Sequence, residues 1–428
     1  MKSHKDHCYF PSQKQLEKEG YKIVIDKGYS TNVAREYDLA WNAFQNGWIA
    51  KLKDAQPVAD QQKIPVSDEY RFMRKYFHPL WSWYVLVLRL VTLKNPLIEI
   101  AGYVRALDVK RRKLGQAPVA YNDYNTLQSN LLLSKPLVSV IIPTLNRYRF
   151  LLDVFKDLEE QTYENFEVIV VDQSEPFQEQ IYSNWNFPIN FWYQKEKALW
   201  KARNEAIQSA KGDLILLYDD DSRVGPDWIE QHLKTMDYFD ADISSGVSIS
   251  AQGARVPHHY SFFRWSDQLD TGNALVKKKV FNTIGLFDRQ FEKQRMGDGE
   301  FGLRAYLAGF RNVSNPLAMR DHLKVSEGGL RQMGSWDAWR PKSWRSPRPV
   351  PSVLYFYRRY FGNRAAMLSI ASSLSPSMVP YRFKGKKWIL LIIVFLSPLL
   401  LPLVTLQVIR SWRQASKKLS HGPIIDQL

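Results

Sequence analysis

The chain has almost no cysteine: Cys8 stands alone among 428 residues. That excludes an internal disulfide framework and a cysteine-based zinc site, and it fits a reducing compartment. The amino terminus, Met1-Lys-Ser-His-Lys-Asp-His, lacks the apolar core of a secretory signal, which speaks against translocation by the usual route. Acids are nearly missing from one long region. Between Arg331 and Ser420, sixteen Lys or Arg face one acid, Asp337, so this region carries +15 of the net +16. Such a bias suits nucleic acid or an anionic membrane. The basic residues surround a long apolar run, so a membrane surface is the expected partner and nucleic acid is not. With 45% hydrophobic and 24% charged residues the chain is globular, with room for one large domain and additions or two to three modules.

What the chain does have is a strand that ends in acid. Leu214 to Ser222 reads Leu-Ile-Leu-Leu-Tyr-Asp-Asp-Asp-Ser. Its first five residues have the pattern of a strand buried on both faces. Three like charges beside a core strand are unfavourable unless they meet solvent or a cation. Alternation along the chain lets Asp219 and Asp221 share one side while Asp220 faces elsewhere. Two carboxylates converging at a strand end suit a hard divalent cation that also binds phosphate oxygens. Standing alone, the tripeptide would be a solvated acidic turn.

It stands in an ordered α/β pattern. Val138 to Ile142 predicts a buried strand ended by Pro143, and Arg149 to Gln161 a helix. Phe166 to Val171 predicts a second strand, running into Asp172, and Ile189 to Tyr193 a third. Ala198 to Ala210 predicts the helix before Leu214. Strands alternating with helices imply parallel pairing, with ligands beyond the carboxyl ends of the strands. Thr144, Asn146, Arg147, Asp172, Ser174 and the three aspartates all fall at those ends. Further on, Asp240 to Ser250 and Gly272 to Val276 read as strands and Lys277 to Ile284 as a short helix. Gly297-Asp-Gly-Glu opens another helix, in which an acid such as Asp298 is favoured by the macrodipole whatever its role.

The flanks differ from this centre. Residues 1 to about 75 are polar and mixed, with helix expected near Asn32 to Lys53. From Phe77 to Tyr103 the chain is aromatic and apolar, interrupted by Arg89 and Lys94 and followed by Arg105, Lys110, Arg111, Arg112 and Lys113. This suits an interfacial helix or a helix packed on the next domain. Tyr121 to Ser134 reads as a linker, and Ser335 to Pro351 as an irregular basic loop. Trp388 to Ile409 is a 22-residue uncharged run, long enough to cross a bilayer. Cations flank it on both sides, and Pro398 and Pro402 lie at its centre. A re-entrant or surface-lying hairpin is therefore expected over a clean span.

Seven pieces in order resemble the inverting family 2 glycosyltransferases with the GT-A fold. They are Val-Ser-Val-Ile-Ile-Pro-Thr-Leu-Asn-Arg (138–147), Val-Ile-Val-Val-Asp-Gln-Ser (168–174), Lys-Ala-Arg-Asn (201–204), Lys-Gly-Asp-Leu-Ile-Leu-Leu-Tyr-Asp-Asp-Asp (211–221), Gly-Asn-Ala-Leu (272–275), Gly-Leu-Phe-Asp (285–288) and Gly-Asp-Gly-Glu-Phe-Gly-Leu-Arg (297–304). The resemblance covers about residues 136 to 325. It implies an α/β, Rossmann-like mixed sheet carrying a nucleotide-diphospho-sugar site; the flanks at 1–130 and 330–428 lie outside it and are expected, from their apolar and basic composition, to be helical and membrane-associating and to handle the acceptor.

The resemblance also implies roles. Pro143, Thr144 and Asn146 would border the nucleotide, Asp172 would bind the base or its ribose, and Arg203 would lie near the diphosphate. Asp219, Asp220 and Asp221 match the DXD region. Asp219 and Asp221 would be the pair, with Asp221 closest to a Mn²⁺ or Mg²⁺ ion. His322 would complete the metal shell, or be a packing histidine. Asp298 matches the catalytic base, which in the family usually follows a glutamate; here that position is Gly297. The expected reaction is inverting transfer from a nucleotide sugar to a lipid-linked or growing surface glycan at the cytoplasmic membrane face, by a protein that is peripheral, re-entrant or singly anchored. Gln252 to Gln268 is expected near donor or acceptor. A nucleotidyltransferase is the less favoured enzyme, since Pro143 to Arg147 holds no glycine to cradle a phosphate. A non-catalytic scaffold is the other alternative.

Overall fold

The computed structural model describes residues 11–49, 64–115, 117–250, 256–266, 269–325, 327–330, 338–340, 343, 345–379 and 387–428. Cys8, Asp337, Lys384, Lys386, about a third of the basic loop and parts of the Gln252–Gln268 stretch lie outside the described residues.

Five helices come first: α1 (Gln13–Lys18), α2 (Asn32–Gln45), α3 (Val66–Tyr76), α4 (Pro79–Val91) and α5 (Pro96–Arg105). The short α6 (Asn130–Ser134) leads into β1 (Val138–Thr144), α7 (Tyr148–Glu159), β2 (Phe166–Asp172), β3 (Ile189–Tyr193), α8 (Leu199–Ser209) and β4 (Leu214–Tyr218). After the aspartates come β5 (Ser222–Val224), α9 (Trp228–Tyr238), β6 (Ile243–Ser250), β7 (Arg264–Trp265), β8 (Asn273–Lys277), α10 (Lys278–Ile284), α11 (Gly297–Leu307) and β9 (Asn312–His322). There follow α12 (Pro351–Met378), two helical segments broken at Gly362 where φ is 82°, and the long α13 (Lys387–His421).

The sheet is mixed, in the order β3-β2-β1-β4-β8-β6-β9-β5, with β7 paired to β9. β3, β2, β1 and β4 are parallel, β8 runs antiparallel to β4 and β6, and β9 runs parallel to β6. Pro143 does not end β1, contrary to the reading from sequence. Pairing with β4 covers Val138 to Ile141, whereas pairing with β2 continues to Thr144. The proline's missing N–H therefore interrupts no ladder on the β4 side.

Central strands are apolar on both faces because both faces are covered. One core layer joins Ile141, Ile215, Leu217, Trp200 and Phe301 with Tyr355 of α12 and Ala415 of α13. The other joins Val140, Leu216, Phe155 and Trp228. A third cluster packs Leu16, Leu39 and Trp48 against Phe239, Trp265 and Val313, and takes in Tyr124 from the stretch read as a linker.

Both apolar flanks differ from their expected form. Phe77 to Tyr103 is two helices, because Thr92 to Asn95 breaks the run and Asn95 caps α5 ahead of Pro96. Trp388 to Ile409 is no hairpin: α13 is one 35-residue helix running through Pro398 and Pro402. Its end packs on the sheet domain through Trp412 and Leu419, which extends the helix past the apolar run. Among the described residues, no helix is long and apolar enough to cross a membrane.

Candidate active site

Parallel β1, β2 and β4 deliver their carboxyl ends to one edge, and β9, which runs in the same direction, brings its last residue His322 to that edge beside Ser222 of the antiparallel β5. There Asp219, Asp221 and His322 each offer a ligand atom within 4.8 Å of the other two. Nε2 of His322 lies 3.4 Å from Oδ1 of Asp221. Asp220 turns the other way. It accepts from the Thr144 hydroxyl at 2.8 Å and from Nη1 of Arg147 at 2.9 Å. Burial pushes the Asp220 carboxyl up to about 6, against the pull of Arg147. The same Arg147 nitrogen lies 3.2 Å from Asp221.

Two buried arginines clamp Asp219. Nη2 of Arg203, on α8, donates to Oδ1 at 2.7 Å, and Nη1 of Arg320, on β9, donates to Oδ2 at 2.9 Å. Arg320 also makes a two-oxygen contact with Asp270 at 3.0 Å, and Arg203 donates to the Thr271 hydroxyl at 2.8 Å. Gly272 makes this approach possible: a Cβ there would sit 2.1 Å from both Arg320 and Asp219. Arg320, Asp270 and Thr271 were not singled out from sequence. The available signal was alternation, since Arg320 and His322 are two apart on one strand and share a face.

The β1–β2 side forms a second polar pocket. Asp172 accepts from the hydroxyls of Tyr148 and Tyr182, both at 2.7 Å, and from the Ser174 N–H at 2.8 Å. Burial and the Asp172 charge push the Tyr182 phenol well up, which keeps it a donor. Asn146, at φ 53°, accepts from the Glu175 N–H at 2.9 Å, and its own N–H donates to Ser174. Pro143 is buried within β1. These residues form a group apart from the Asp219–Asp221–His322 cluster.

Asp298 sits in the first turn of α11, half-buried, its Oδ1 accepting from the Gly299 N–H at 2.9 Å. It belongs to neither polar group, and it is the residue before it that packs toward Arg203. Gly297 packs on the Trp200 indole, and the Arg203 guanidinium lies over that ring at 5.5 Å. A Cβ at 297 would meet Trp200 at 2.3 Å, so the indole occupies the space a glutamate would need. Glu300 is fully buried, held by Arg304 at 2.9 Å and by the Tyr360 hydroxyl.

Residues 139–295 match the profile of the family described as Glycosyl transferase family 2. The match takes in β1 to α10 and stops before α11 and β9. Glycosyltransferase GlyA of Streptococcus pneumoniae is 25% identical over 163 residues, which are 37% of this chain and 22% of that protein. An uncharacterized glycosyltransferase of Rickettsia typhi is 30% identical over 179 residues, 37% of this chain and 55% of that protein. The chain thus spans about a fifth and about half of the length of these relatives. Residues 1–349 of Staphylococcus aureus TarS in complex with UDP-GlcNAc superpose with a TM-score of 0.43 at 19% identity, over 58% of this chain and 77% of that one. A likeness that loose carries no argument. The matched residues include the three aspartates, Asp172, Arg203 and Trp200, while Asp298 and His322 lie beyond them.

Proposed function

We propose that this chain transfers a sugar from a nucleotide-diphosphate donor to an acceptor hydroxyl with inversion, on a GT-A-type site. The observation that carries this reading is the Asp219–Asp221–His322 cluster at the carboxyl edge of the sheet that the family 2 match covers in part. Two carboxylates and an imidazole within 4.8 Å are a donor set that fits a divalent cation such as Mn²⁺, or Mg²⁺. Asp221 and His322 would hold the ion most directly, because both oxygens of Asp219 already accept from arginines. When bound, the ion supplies Lewis-acid neutralisation of the departing diphosphate.

The chain's own residues do the rest. Asp172, Pro143, Thr144 and Asn146 line the end of the sheet where a nucleoside would lie, and Asp220 fixes Arg147 there. Arg203 and Arg320 hold Asp219 in one orientation and add positive charge beside the donor phosphates. Asp298 takes the proton from the acceptor hydroxyl as that oxygen attacks the anomeric carbon and the bond to the diphosphate breaks. Glu300, locked on Arg304 and Tyr360, leaves no second carboxylate on α11 free to act as a nucleophile, which favours a single displacement.

In this reading residues 136–325 carry the transfer. The flanks 1–130 and 330–428, basic and rich in exposed apolar residues, serve docking at the cytoplasmic membrane face. The acceptor is a lipid-linked or growing surface glycan. Calorimetric binding of UDP, GDP and dTDP, each with and without Mn²⁺, tests the site. One nucleotide should bind in a metal-dependent way, and Asp221→Ala should abolish that dependence. Failure of the folded protein to bind any of them would point to a non-catalytic scaffold.

A further inference from the structure

Helices α3, α4 and α5 pack on one another with their polarity reversed. The groups between them are polar. Glu99 is 5% exposed, accepts from the Tyr70 hydroxyl at 2.8 Å and pairs with Arg89 at 3.3 Å. Ser82 is fully buried, and Arg89 reaches on to Glu69. The groups turned outward are apolar: Leu80, Trp81, Trp83, Val91, Leu93 and Leu97, with Leu93 92% and Leu97 79% exposed. The apolar face continues along α5 to Val104. Soluble helical bundles do the opposite, and an outward apolar patch of this extent marks a contact surface.

The rim of the patch identifies its partner. Lys94 stands exposed at the turn between the helices, and Arg105, Lys110, Arg111 and Lys113 follow α5 on exposed chain, against one exposed acid, Asp108. Tryptophans at one end of an apolar face and cations around its edge fit the boundary between lipid headgroups and acyl chains. At 1.5 Å per residue the 13 residues of α4 and the 10 of α5 extend about 20 Å and about 15 Å. Both fall short of the ~30 Å hydrocarbon core.

We propose that the α4–α5 hairpin is a wedge that enters one leaflet of an anionic bilayer, held by its apolar outer face and by the cations around it. This rests on the membrane reading above and assigns that role to a specific element. The wedge leaves Arg89 and Glu99 paired inside, so insertion requires no change of fold.

The test is flotation of the full chain with vesicles of phosphatidylcholine, alone or mixed with phosphatidylglycerol. Wild type should float with the mixed vesicles and poorly with the neutral ones. Leu93→Glu combined with Leu97→Glu should weaken that binding by about a hundredfold or more. Both positions are exposed, so thermal melting and nucleotide binding should stay as in wild type. Trp83→Glu gives an independent second variant. Unchanged flotation of both variants would overturn the wedge and leave membrane docking to α13, where Leu399→Glu tests it. Equal flotation with neutral vesicles would overturn the anionic part of the proposal. A wild type that floats with neither vesicle overturns the wedge and the membrane reading together, with nucleotide binding deciding the catalytic reading separately. If that protein also sediments as a dimer that the double variant dissociates, the face is covered by a second copy.

Discussion

The carboxyl edge of the sheet and the α3–α5 bundle both bury charge, and they bury it in opposite senses. At the carboxyl edge of the sheet, the buried Arg203 and Arg320 hold Asp219, whose side chain stays 16% exposed, and Arg203 lies over the core indole of Trp200. In the α3–α5 bundle, Arg89 and Glu99 lie inside while leucines and tryptophans face outward. A buried charge needs a partner in either place, since an unpaired one is strongly unfavourable. What differs is where the apolar surface goes. The first arrangement presents a polar pocket to a charged ligand, and the second presents an apolar face to a surface. The same residue types give a reacting site or a docking site according to which side of the element the core takes.

The comparison sharpens first at the reaction. Asp298→Asn keeps the shape of α11 and removes the proposed base, so turnover should fall by about 10²–10⁴-fold with nucleotide affinity nearly unchanged. Steady-state kinetics beside calorimetry checks this, and a fully active variant would remove Asp298 from the mechanism. No hairpin variant should show this split.

Removing the central cation from each region compares the two burials directly. Arg320→Met leaves Asp219 and Asp270 facing each other without their shared partner, and about 3–5 kcal/mol of stability should be lost. Arg89→Met removes a side chain that is 26% exposed, against 2% for Arg320, and should lose only about 1–3 kcal/mol. Denaturant titration of the two variants ranks them. Equal losses would mean that the hairpin pair is as desolvated as the site.

A neutral buried group supplies the smallest effect. His232 is fully buried between Ser244 and Asn273, and burial lowers its pKa to about 4. A depressed pKa gives stability that is present above the unfolded value near 6.5 and is lost as pH falls toward 4. Between pH 7 and pH 6 the loss is roughly 0.7 kcal/mol. Asp220, raised to about 6, gains stability over the same interval in both proteins, so the His232 share is the difference between the pH shifts of the melting curves of wild type and His232→Gln.

Much of the central α/β region was legible in sequence because its strands are apolar on both faces and their polar ends fall in register. Leu214 to Tyr218 is β4 as read, and the alternation of Asp219, Asp220 and Asp221 is the division of sides in the structure. Arg320, Asp270 and Thr271 were not legible. Their partners are far along the chain: alternation puts Arg320 on the face of His322, but no local pattern says which carboxylate it meets across the sheet. Trp200 is a similar case: a tryptophan in an ordinary helix becomes the reason that position 297 is glycine. The apolar flanks were legible as composition, but their helix boundaries and outward faces were not.

The sequence by itself determined the order of strands and helices in the central region, its likeness to family 2 glycosyl transferases over residues 139–295, and the acids at the end of β4. Periodicity, turn residues and short motifs are local properties, and they survive without knowledge of the fold. Tertiary structure alone decided that His322 joins Asp219 and Asp221, that two arginines clamp Asp219, and that the α4–α5 hairpin turns its leucines outward. Each depends on which distant surfaces meet, and that is settled by packing and charge pairing across the whole chain.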